Sequence, residues 1–493
     1  MSTTVKIPYL SFTKIDRKSS TPIYMQLSNQ FSNAIQRNLL PKGTKLPGTR
    51  KLSELLQVNR QTVIAAYDEL EAQGWIEIRP NQGTFVVDKQ VIKTTKVVKT
   101  ISEYVKPYPA SSGFSFRKSN ILDNPYENAA TPFFFTDGTP DVRLTQLTQL
   151  SATYSANLKR KVNRRKLVSN NYDGNAYFRK NMANFLNLSR GTQITSKNIL
   201  ITRSSEMSSF IASEVLLEKG DKVIVANLGH FSINMTFHNR GAQVLTVGVD
   251  DDGIIVDEVE ALCRKHKIRL LYLTPHHHYP TTVTLSPQRR IQLLKLARAY
   301  GFVILEDDYD YDFHYDKSPI LPLIGSDNNG MVVYKGVFGR SLAPGFRMGF
   351  IVAPEDLINE MKKYLGVIDP QGDVIMEQVL GELIEEGEIN RYLKKAIKVY
   401  QDRRNNFCNL LDQFFDQAIK YKKPSGGLAV WVEWQDDINL MQMRKEALGN
   451  DLFLPKTILY QNKTLTAMRL GFGHLNKDEM ENAVSILYQS IYK

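Results

Sequence analysis

The sequence predicts two domains of different fold class: a small module of three helices and a β-hairpin, then a large α/β domain with a mostly parallel sheet. The chain of 493 residues is too long for one hydrophobic core. Its apolar spacing is helical within 22–87, whereas short apolar runs alternate with helical patterns from 131 onward. The segment 88–130 has the composition of a linker. We therefore expect domains at 1–87 and 131–493, joined by a linker over 88–130.

The composition excludes several classes of protein. Hydrophobic residues make up 42% and charged residues 23%, as in an ordinary globular protein. No apolar run approaches the roughly 18 residues that span a bilayer, and the N-terminus lacks a signal-peptide pattern. Two cysteines, Cys263 and Cys408, provide no disulfide framework. We expect a cytoplasmic protein without a membrane segment.

The charge distribution favours a polyanionic partner. The formal net charge is +12, and residues 1–87 contain 11 Lys and Arg against 6 Asp and Glu, a balance of +5. Such an excess is typical of proteins that bind nucleic acid. A second basic cluster at 159–166 has two interpretations: a solvated helix face, which we favour, or a further DNA contact.

The N-terminal module has the order helix, helix, helix, hairpin. Its three helices are predicted by apolar residues at helical spacing: Leu27, Phe31, Ala34 and Ile35, then Leu52, Leu55 and Leu56, then Val63, Ala66, Tyr67 and Leu70. Asn59 is a suitable N-cap for the third helix, and Gly74 ends it. Strands over Trp75–Ile78 and Thr84–Val87 then flank a tight turn that contains Gly83.

The second and third helices form a candidate helix-turn-helix. Arg60, Gln61 and Thr62 lie in the first turn of the third helix, where a recognition helix meets base edges. Arg suits guanine or phosphate, Gln suits adenine, and Thr commonly contacts phosphate. Gly83 at the tip of the hairpin would allow close backbone approach to DNA. The alternative is a three-helix module that binds protein.

Several motifs of this module occur in the order found in a known family. They are PIYMQL at 22–27, KLPGTRKL at 45–52, VNRQTV at 58–63 and GTFV at 83–86. Together they resemble the GntR-type winged helix-turn-helix. The resemblance implies a double-stranded DNA operator as partner, contacted by Arg50, Arg60, Thr62 and the wing at Gly83.

The large domain repeats strand and helix patterns. Candidate strands are Ile199–Thr202, Val223–Val225, Val244–Val247, Leu270–Leu273, Val303–Leu305 and Met331–Val333, with a helix at Pro287–Tyr300. The acidic run EDDYD at 306–310 directly follows one strand. Because ligands bind at the carboxyl ends of parallel strands, this run is a candidate ligand site, although it could also be a metal-binding or solvated loop.

Motifs spread over 131–493 resemble a fold-type I aminotransferase domain, specifically that of the MocR/GabR regulators, which join it to a GntR-type winged helix. They include GTPD at 138–141, EDDYD at 306–310, LAPGFRMG at 342–349, GGL at 426–428 and RLGF at 469–472. The implied fold is an α/β fold-type I PLP-aminotransferase-like domain with a small C-terminal α+β subdomain from about 375 to 493.

The resemblance implies a site for pyridoxal phosphate. Asp307 matches the carboxylate that pairs with the protonated pyridine nitrogen, and Tyr309 matches the phenol that bonds the ring oxygen. Arg347 and Ser205 match positions near the phosphate. Arg469 matches the arginine that binds a substrate carboxylate, here a candidate effector contact.

The lysine that bonds the cofactor aldehyde is missing from its motif, because Arg340 stands at that position. A guanidinium stays protonated and cannot attack an aldehyde. Lys335 is the nearest lysine, but an odd offset along a strand would face it away from Arg340. The phosphate-binding turn is also altered, with Glu206 near a helix N-terminus. His230 replaces the ring-stacking aromatic residue.

We interpret these departures as a domain that kept its shape and lost covalent cofactor chemistry, and hence not as an enzyme. Arg340 would then pair with Asp307 or Asp308 and serve as a second effector contact. Alternatively, Arg340 points elsewhere and the cofactor still docks without a covalent bond. The run 276–278 of three histidines is not expected to bind metal, since consecutive side chains diverge.

The resulting expectation is a homodimeric, ligand-responsive transcription regulator, assembled head to tail as the resemblance implies. Its effector would be an amino acid, an amine or a vitamin B6 compound. One alternative is a PLP-dependent aminotransferase, or a PLP-binding regulator, that carries a DNA-binding domain. Another is a constitutive DNA-binding dimer whose large domain is only a scaffold.

Overall fold

The computed structural model describes residues 9–19, 21–80, 82–87, 109–129, 131–168, 173–316, 320–338, 348–435 and 438–492. The chain divides into two compact units, Met1–Phe116 and Arg117–Lys493. Within the described ranges, no helix combines the length and the apolar character needed to cross a membrane.

The first unit contains the expected three helices and hairpin. Its elements are α1 (Ile23–Gln36), α2 (Thr49–Leu56), α3 (Arg60–Ala72), β1 (Ile76–Arg79) and β2 (Gly83–Val86). The two strands are antiparallel, with Arg79 opposite Gly83 at the turn. The core contains Leu27, Phe31 and Leu70, each almost fully buried at the predicted helical spacing. The predicted winged helix-turn-helix is therefore confirmed, with strand ends that differ by one residue.

Polar contacts fix the two helices of the helix-turn-helix. The Asn59 side chain accepts a hydrogen bond of 2.9 Å from the backbone N–H of Gln61, which caps the start of α3 as expected. The Tyr67 hydroxyl of α3 donates to the backbone oxygen of Pro47, just before α2, at 2.8 Å. Each of these contacts is made by one side chain, Asn59 or Tyr67, so a single substitution removes it.

The second unit is built around a seven-stranded sheet. Its strands are β4 (Ile199–Thr202), β5 (Lys222–Ala226), β6 (Gln243–Val247), β9 (Ile268–Leu273), β10 (Val303–Asp308), β11 (Val332–Phe338) and β12 (Met348–Val352). Their order is β4-β12-β11-β10-β9-β5-β6, and only β12 runs antiparallel to its neighbours. All six predicted strands are present, so the mostly parallel sheet is confirmed. Strand β12, which directly follows the LAPGFR segment in sequence, is not among the predicted strands.

Helices cover the sheet and continue into the C-terminal part. They are α4 (Leu147–Lys159), α5 (Lys161–Lys166), α6 (Ala176–Arg190), α7 (Ser205–Leu216), α8 (Phe231–Asn239), α9 (Val256–Lys265), α10 (Pro287–Tyr300), α11 (Glu355–Ile368), α12 (Val374–Glu385) and α13 (Glu388–Phe415). The helix α10 has the predicted bounds. It begins with proline at its first position and ends at Gly301, which has a φ of +72°.

A smaller antiparallel sheet forms the C-terminal α+β part. Its strands are β13 (Ile419–Tyr421), β14 (Ala429–Trp434), β16 (Leu459–Gln461) and β17 (Thr466–Gly471), in the order β13-β14-β17-β16. Helices α14 (Leu440–Gly449) and α15 (Lys477–Tyr492) belong to this part. Short strands β3 (Phe133–Phe134) and β15 (Leu452–Phe453) pair with each other, and β7 (Val249–Asp250) pairs with β8 (Gly253–Ile254). The pairing of β3 with β15 joins the N-terminal part of the large domain to its C-terminal α+β part.

Replacing Asn59 by Ala should loosen the start of α3, because the backbone N–H of Gln61 loses its acceptor. We expect a loss of about 1 kcal/mol, which corresponds to roughly fivefold faster amide exchange in α3 of the full chain. Hydrogen-exchange mass spectrometry measures this. Asn59→Asp keeps the acceptor and should exchange like the parent; equal rates in the Ala variant would show that the cap does not stabilise α3.

Candidate functional site

A cavity of about 500 Å³ opens at the carboxyl end of the seven-stranded sheet, within the second unit. Its wall includes Asp137, Ser205, Glu206, His230, Tyr279, Asp307, Tyr309 and Lys335. The volume is in the range of pockets that hold cofactor-sized molecules. The position agrees with the expectation that EDDYD, at the end of β10, borders a ligand site.

Asp307 lies on the wall of the cavity and is 8% exposed. Its Oδ2 atom accepts a hydrogen bond of 2.8 Å from the Tyr272 hydroxyl and lies 2.5 Å from Lys335 Nζ. Burial, together with the charge of Asp307, raises the pKa of Tyr272, so this phenol keeps its proton and donates. In the described part of the chain, Oδ1 of Asp307 has no hydrogen-bond partner.

Lys335 was expected to face away from Arg340, and because position 340 lies outside the described residues, this expectation stays a prediction. The side chain of Lys335 is 2% exposed and lines the cavity, and its Nζ donates to Ser205 Oγ at 2.8 Å. The register of the sheet places it there: β10 and β11 are parallel and Asp307 pairs with Lys335, so both side chains lie on the same face.

The first turn of α7 borders the cavity where the resemblance expects a phosphate. Ser204 caps this helix, with its Oγ accepting from the Met207 N–H at 3.2 Å. The Ser205 hydroxyl accepts from Lys335, and Glu206 places a carboxylate on the cavity wall. A carboxylate in the first turn is favoured by the helix dipole and opposes the binding of a second anion there.

Tyr309 and Arg469 are held by protein atoms. The Tyr309 hydroxyl donates to the His277 backbone oxygen at 2.8 Å and accepts from Arg469 Nη2 at 3.2 Å. Arg469 also donates to the backbone oxygens of Asp137 and Pro280, each at 2.8 Å, and is 2% exposed. Three of its N–H groups are therefore engaged, and its role toward an effector carboxylate stays a prediction.

His230 occupies the position of the expected ring-stacking residue. Its ring lies on the cavity wall, 4.9 Å from the ring of Tyr279. Nδ1 lies 2.7 Å from Ser232 Oγ and accepts from the Ser232 N–H at the start of α8. Burial lowers the pKa of His230, which favours the neutral ring.

The three consecutive histidines have separate partners. His276 Nδ1 lies 3.3 Å from Asp308 Oδ1, His277 Nδ1 lies 2.8 Å from Asp310 Oδ1, and His278 bonds Thr281 Oγ1 at 2.8 Å. No group of three or more His, Cys, Asp or Glu side chains arranged to hold a metal ion occurs among the residues that the structure covers.

Two predicted site residues, Arg340 and Arg347, lie outside the described residues. The two carboxylates proposed as partners of Arg340 already have others. Asp307 contacts Lys335, and Asp308 accepts from the Tyr334 hydroxyl at 2.6 Å and faces His276. Burial alone would raise the pKa of Asp308, but His276 and a nearby arginine lower it to about 2.

The predicted DNA-contacting residues lie at the start of α2 and α3. Arg50, Arg60 and Gln61 are exposed, and Thr62 is half-buried. Arg60 Nε lies 3.4 Å from Thr49 Oγ1, which brings the first turns of the two helices together. Gly83 has a φ of +114°, a backbone conformation that favours glycine at the hairpin turn. Their contacts with DNA stay predictions.

Each of the two units matches a known protein family. Residues 138–487 match the family described as aminotransferase class I and II, and residues 23–86 match the bacterial regulatory proteins of the gntR family. The chain belongs to the class I and II aminotransferase family. Its aminotransferase domain follows a GntR-type helix-turn-helix, as the sequence motifs indicated.

Two relatives named as regulators match most or nearly all of the chain. The HTH-type transcriptional regulator YisV of Bacillus subtilis (strain 168) is 24% identical, covering 96% of this chain and 97% of YisV. The probable rhizopine catabolism regulatory protein MocR of Rhizobium meliloti is 25% identical, covering 80% of this chain and 78% of MocR.

A solved structure shows the same fold for the aminotransferase domain. It is LysN, an α-aminoadipate aminotransferase of Thermus thermophilus, in complex with N-(5′-phosphopyridoxyl)-L-leucine. The TM-score is 0.67 at 21% identity, covering 73% of this chain and 91% of LysN.

The described residues of the aminotransferase domain do not fit pyridoxal phosphate as the family motif implies. The carboxylate expected for the ring nitrogen holds the ammonium of Lys335, and the same ammonium engages the Ser205 hydroxyl expected near the phosphate. The Tyr309 hydroxyl accepts from Arg469. Three groups of the expected site thus have partners within the protein.

Replacing His278 by Asn should reduce the amount of stability that the second unit loses when the pH falls. Burial lowers the pKa of His278 to about 3, from an ordinary 6.5. Above pH 6.5 His278 is neutral in both the folded and the unfolded chain. Below that value the unfolded chain takes up a proton at His278 that the folded chain does not, so the free energy of unfolding falls by about 1.4 kcal/mol per pH unit. The thermal midpoint of the second unit should fall less between pH 7.5 and 5.5 in the variant, by about 1–2 °C.

Scanning calorimetry measures this difference, and Asn keeps a polar atom near Thr281. The exposed His238 provides a matched control, because His238→Asn makes the same substitution at a position that is not buried. Equal slopes for His278→Asn and the parent protein would show that His278 titrates normally in the fold.

Proposed function

We propose that this chain is a sequence-specific DNA-binding transcription regulator whose aminotransferase-like domain binds a small-molecule effector without turnover. The observation that carries the proposal is the GntR-type helix-turn-helix at 23–86, in one chain with an aminotransferase domain whose Asp307 is already paired with Lys335. The relative YisV, named as a regulator, matches both parts of the chain, and MocR, named as a regulatory protein, matches 80% of it.

The DNA-binding step would use the first turn of α3. Arg60 and Gln61 are exposed there, and the Asn59 cap fixes the direction in which the helix begins. This agrees with the way recognition helices present their N-terminal residues to base edges. Arg50 and the turn at Gly83 would add contacts to the DNA backbone, supported by the positive charge of residues 1–87.

The effector step would use the 500 Å³ cavity of the second unit. Its polar wall suits a small polar molecule such as an amino acid, an amine or a vitamin B6 compound. We propose a homodimer, assembled head to tail and located in the cytoplasm, in which the bound effector changes operator affinity.

Arg60→Ala should weaken binding to a fragment of the protein's own promoter about 10–100-fold, because one arginine contact to a base contributes about 1–3 kcal/mol. Fluorescence anisotropy at fixed salt measures the dissociation constant. The matched control is Arg37→Ala, which removes the same charge from an exposed position at the end of α1.

The control should lose only the small, sequence-independent part of the affinity. An equal loss for both variants would mean that α3 does not contact bases. Full affinity of Arg60→Ala would contradict the proposed recognition helix.

An effector should raise the thermal midpoint of the second unit and change operator affinity in parallel, since a ligand stabilises the state that it binds. The full chain would be screened with amino acids, amines and pyridoxal. A thermal shift without any change in operator affinity would favour the scaffold alternative. Turnover of an amino acid with pyridoxal phosphate would favour the aminotransferase alternative.

A further inference from the structure

We infer that the ammonium of Lys335 replaces the cofactor's ring nitrogen as the cationic partner of Asp307, and that the pocket therefore does not accept pyridoxal phosphate in the family's orientation. The inference concerns only the residues of the pocket and stands whether or not the chain regulates transcription.

The position of Lys335 is set by the sheet. Asp307 and Lys335 are directly paired residues of the parallel strands β10 and β11. Nζ lies 2.5 Å from Asp307 Oδ2, and that oxygen also accepts from the Tyr272 hydroxyl. Because the pair belongs to two central strands, the sheet fixes the backbone positions of both residues.

Charge balance decides what Asp307 can still bind. The side chain of Lys335 is 2% exposed and that of Asp307 is 10% exposed, so the two charges compensate each other in a place with little water. A protonated pyridine nitrogen would bring a second cation to one carboxylate. Oδ1 has no partner in the described residues and leaves room for a donor, but an additional buried charge would be uncompensated.

The same ammonium also contacts the helix turn where the family motif implies the cofactor phosphate. Lys335 Nζ donates to Ser205 Oγ, in the first turn of α7. Glu206 follows in that turn and lines the cavity. The carboxylate of Glu206 makes this turn less favourable for an anion.

Lys335 is also poorly placed to take over the role of the missing lysine. In pyridoxal phosphate the aldehyde lies across the ring from the nitrogen. An amine held against Asp307 lies at the nitrogen end, and it cannot reach the aldehyde while the ring nitrogen faces the same carboxylate. Lys335 is therefore not a Schiff-base lysine that has moved to another position along the strand.

The test compares wild type with Lys335→Met, Arg340→Lys and the double variant, all as full-length protein with pyridoxal phosphate. Equilibrium dialysis gives the dissociation constant, and borohydride reduction with peptide mapping identifies any covalent adduct. Met keeps the length of Lys335 without its charge. Lys362→Met is the control, because it removes a lysine–aspartate pair, with Asp173 at 3.0 Å, whose residues are not on the cavity wall.

We expect Lys335→Met to bind pyridoxal phosphate about tenfold more tightly than wild type or more, because Asp307 regains an open charge. Arg340→Lys alone should form no adduct at 340, whereas the double variant should form one there. Lys362→Met should behave like wild type.

Two results would overturn the inference. One is an adduct at residue 340 in Arg340→Lys alone, which would make Arg340 the only obstacle. The other is a folded Lys335→Met protein that binds pyridoxal phosphate no more tightly than wild type. If Lys335→Met did not fold, the wild-type and Arg340→Lys measurements would still decide.

Discussion

The pairing of β10 with β11 is the constraint on which the pocket depends. It sets Asp307 beside Lys335 on one face of the sheet, and both side chains are largely buried at the wall of the cavity. Two further contacts involve this pair: Tyr272 on β9 donates to the Asp307 carboxylate oxygen, and Ser205 on α7 accepts from the Lys335 ammonium. The ion pair thus links strand β9 to helix α7.

Around that pair, several polar side chains of the pocket form hydrogen bonds with other groups of the protein. Arg469 donates to two backbone oxygens and to Tyr309, and His230 is tied to the start of α8. A site with so many internal partners is pre-organised, which suits a ligand held without covalent chemistry.

The chain combines two units with different relationships to their families. The first matches the GntR family over residues 23–86. The second matches the class I and II aminotransferase family over residues 138–487 and shares the fold of solved aminotransferases, while its Asp307 is paired with Lys335. Because fold stability rests on the buried apolar faces and function on a few polar groups, the two can diverge separately.

The sequence alone determined the two domains, six of the seven strands in the large sheet and the cap at Asn59, because apolar spacing and capping are local properties. It also predicted a ligand site beside Asp307, where the structure has a cavity. It failed at β12, where an apolar run follows a segment matched as a motif. The position of Lys335 on the same face as Asp307 depends on the register between β10 and β11, and two residues 28 positions apart reveal that register only when the strands pair. Tertiary structure alone decided that this lysine meets Asp307.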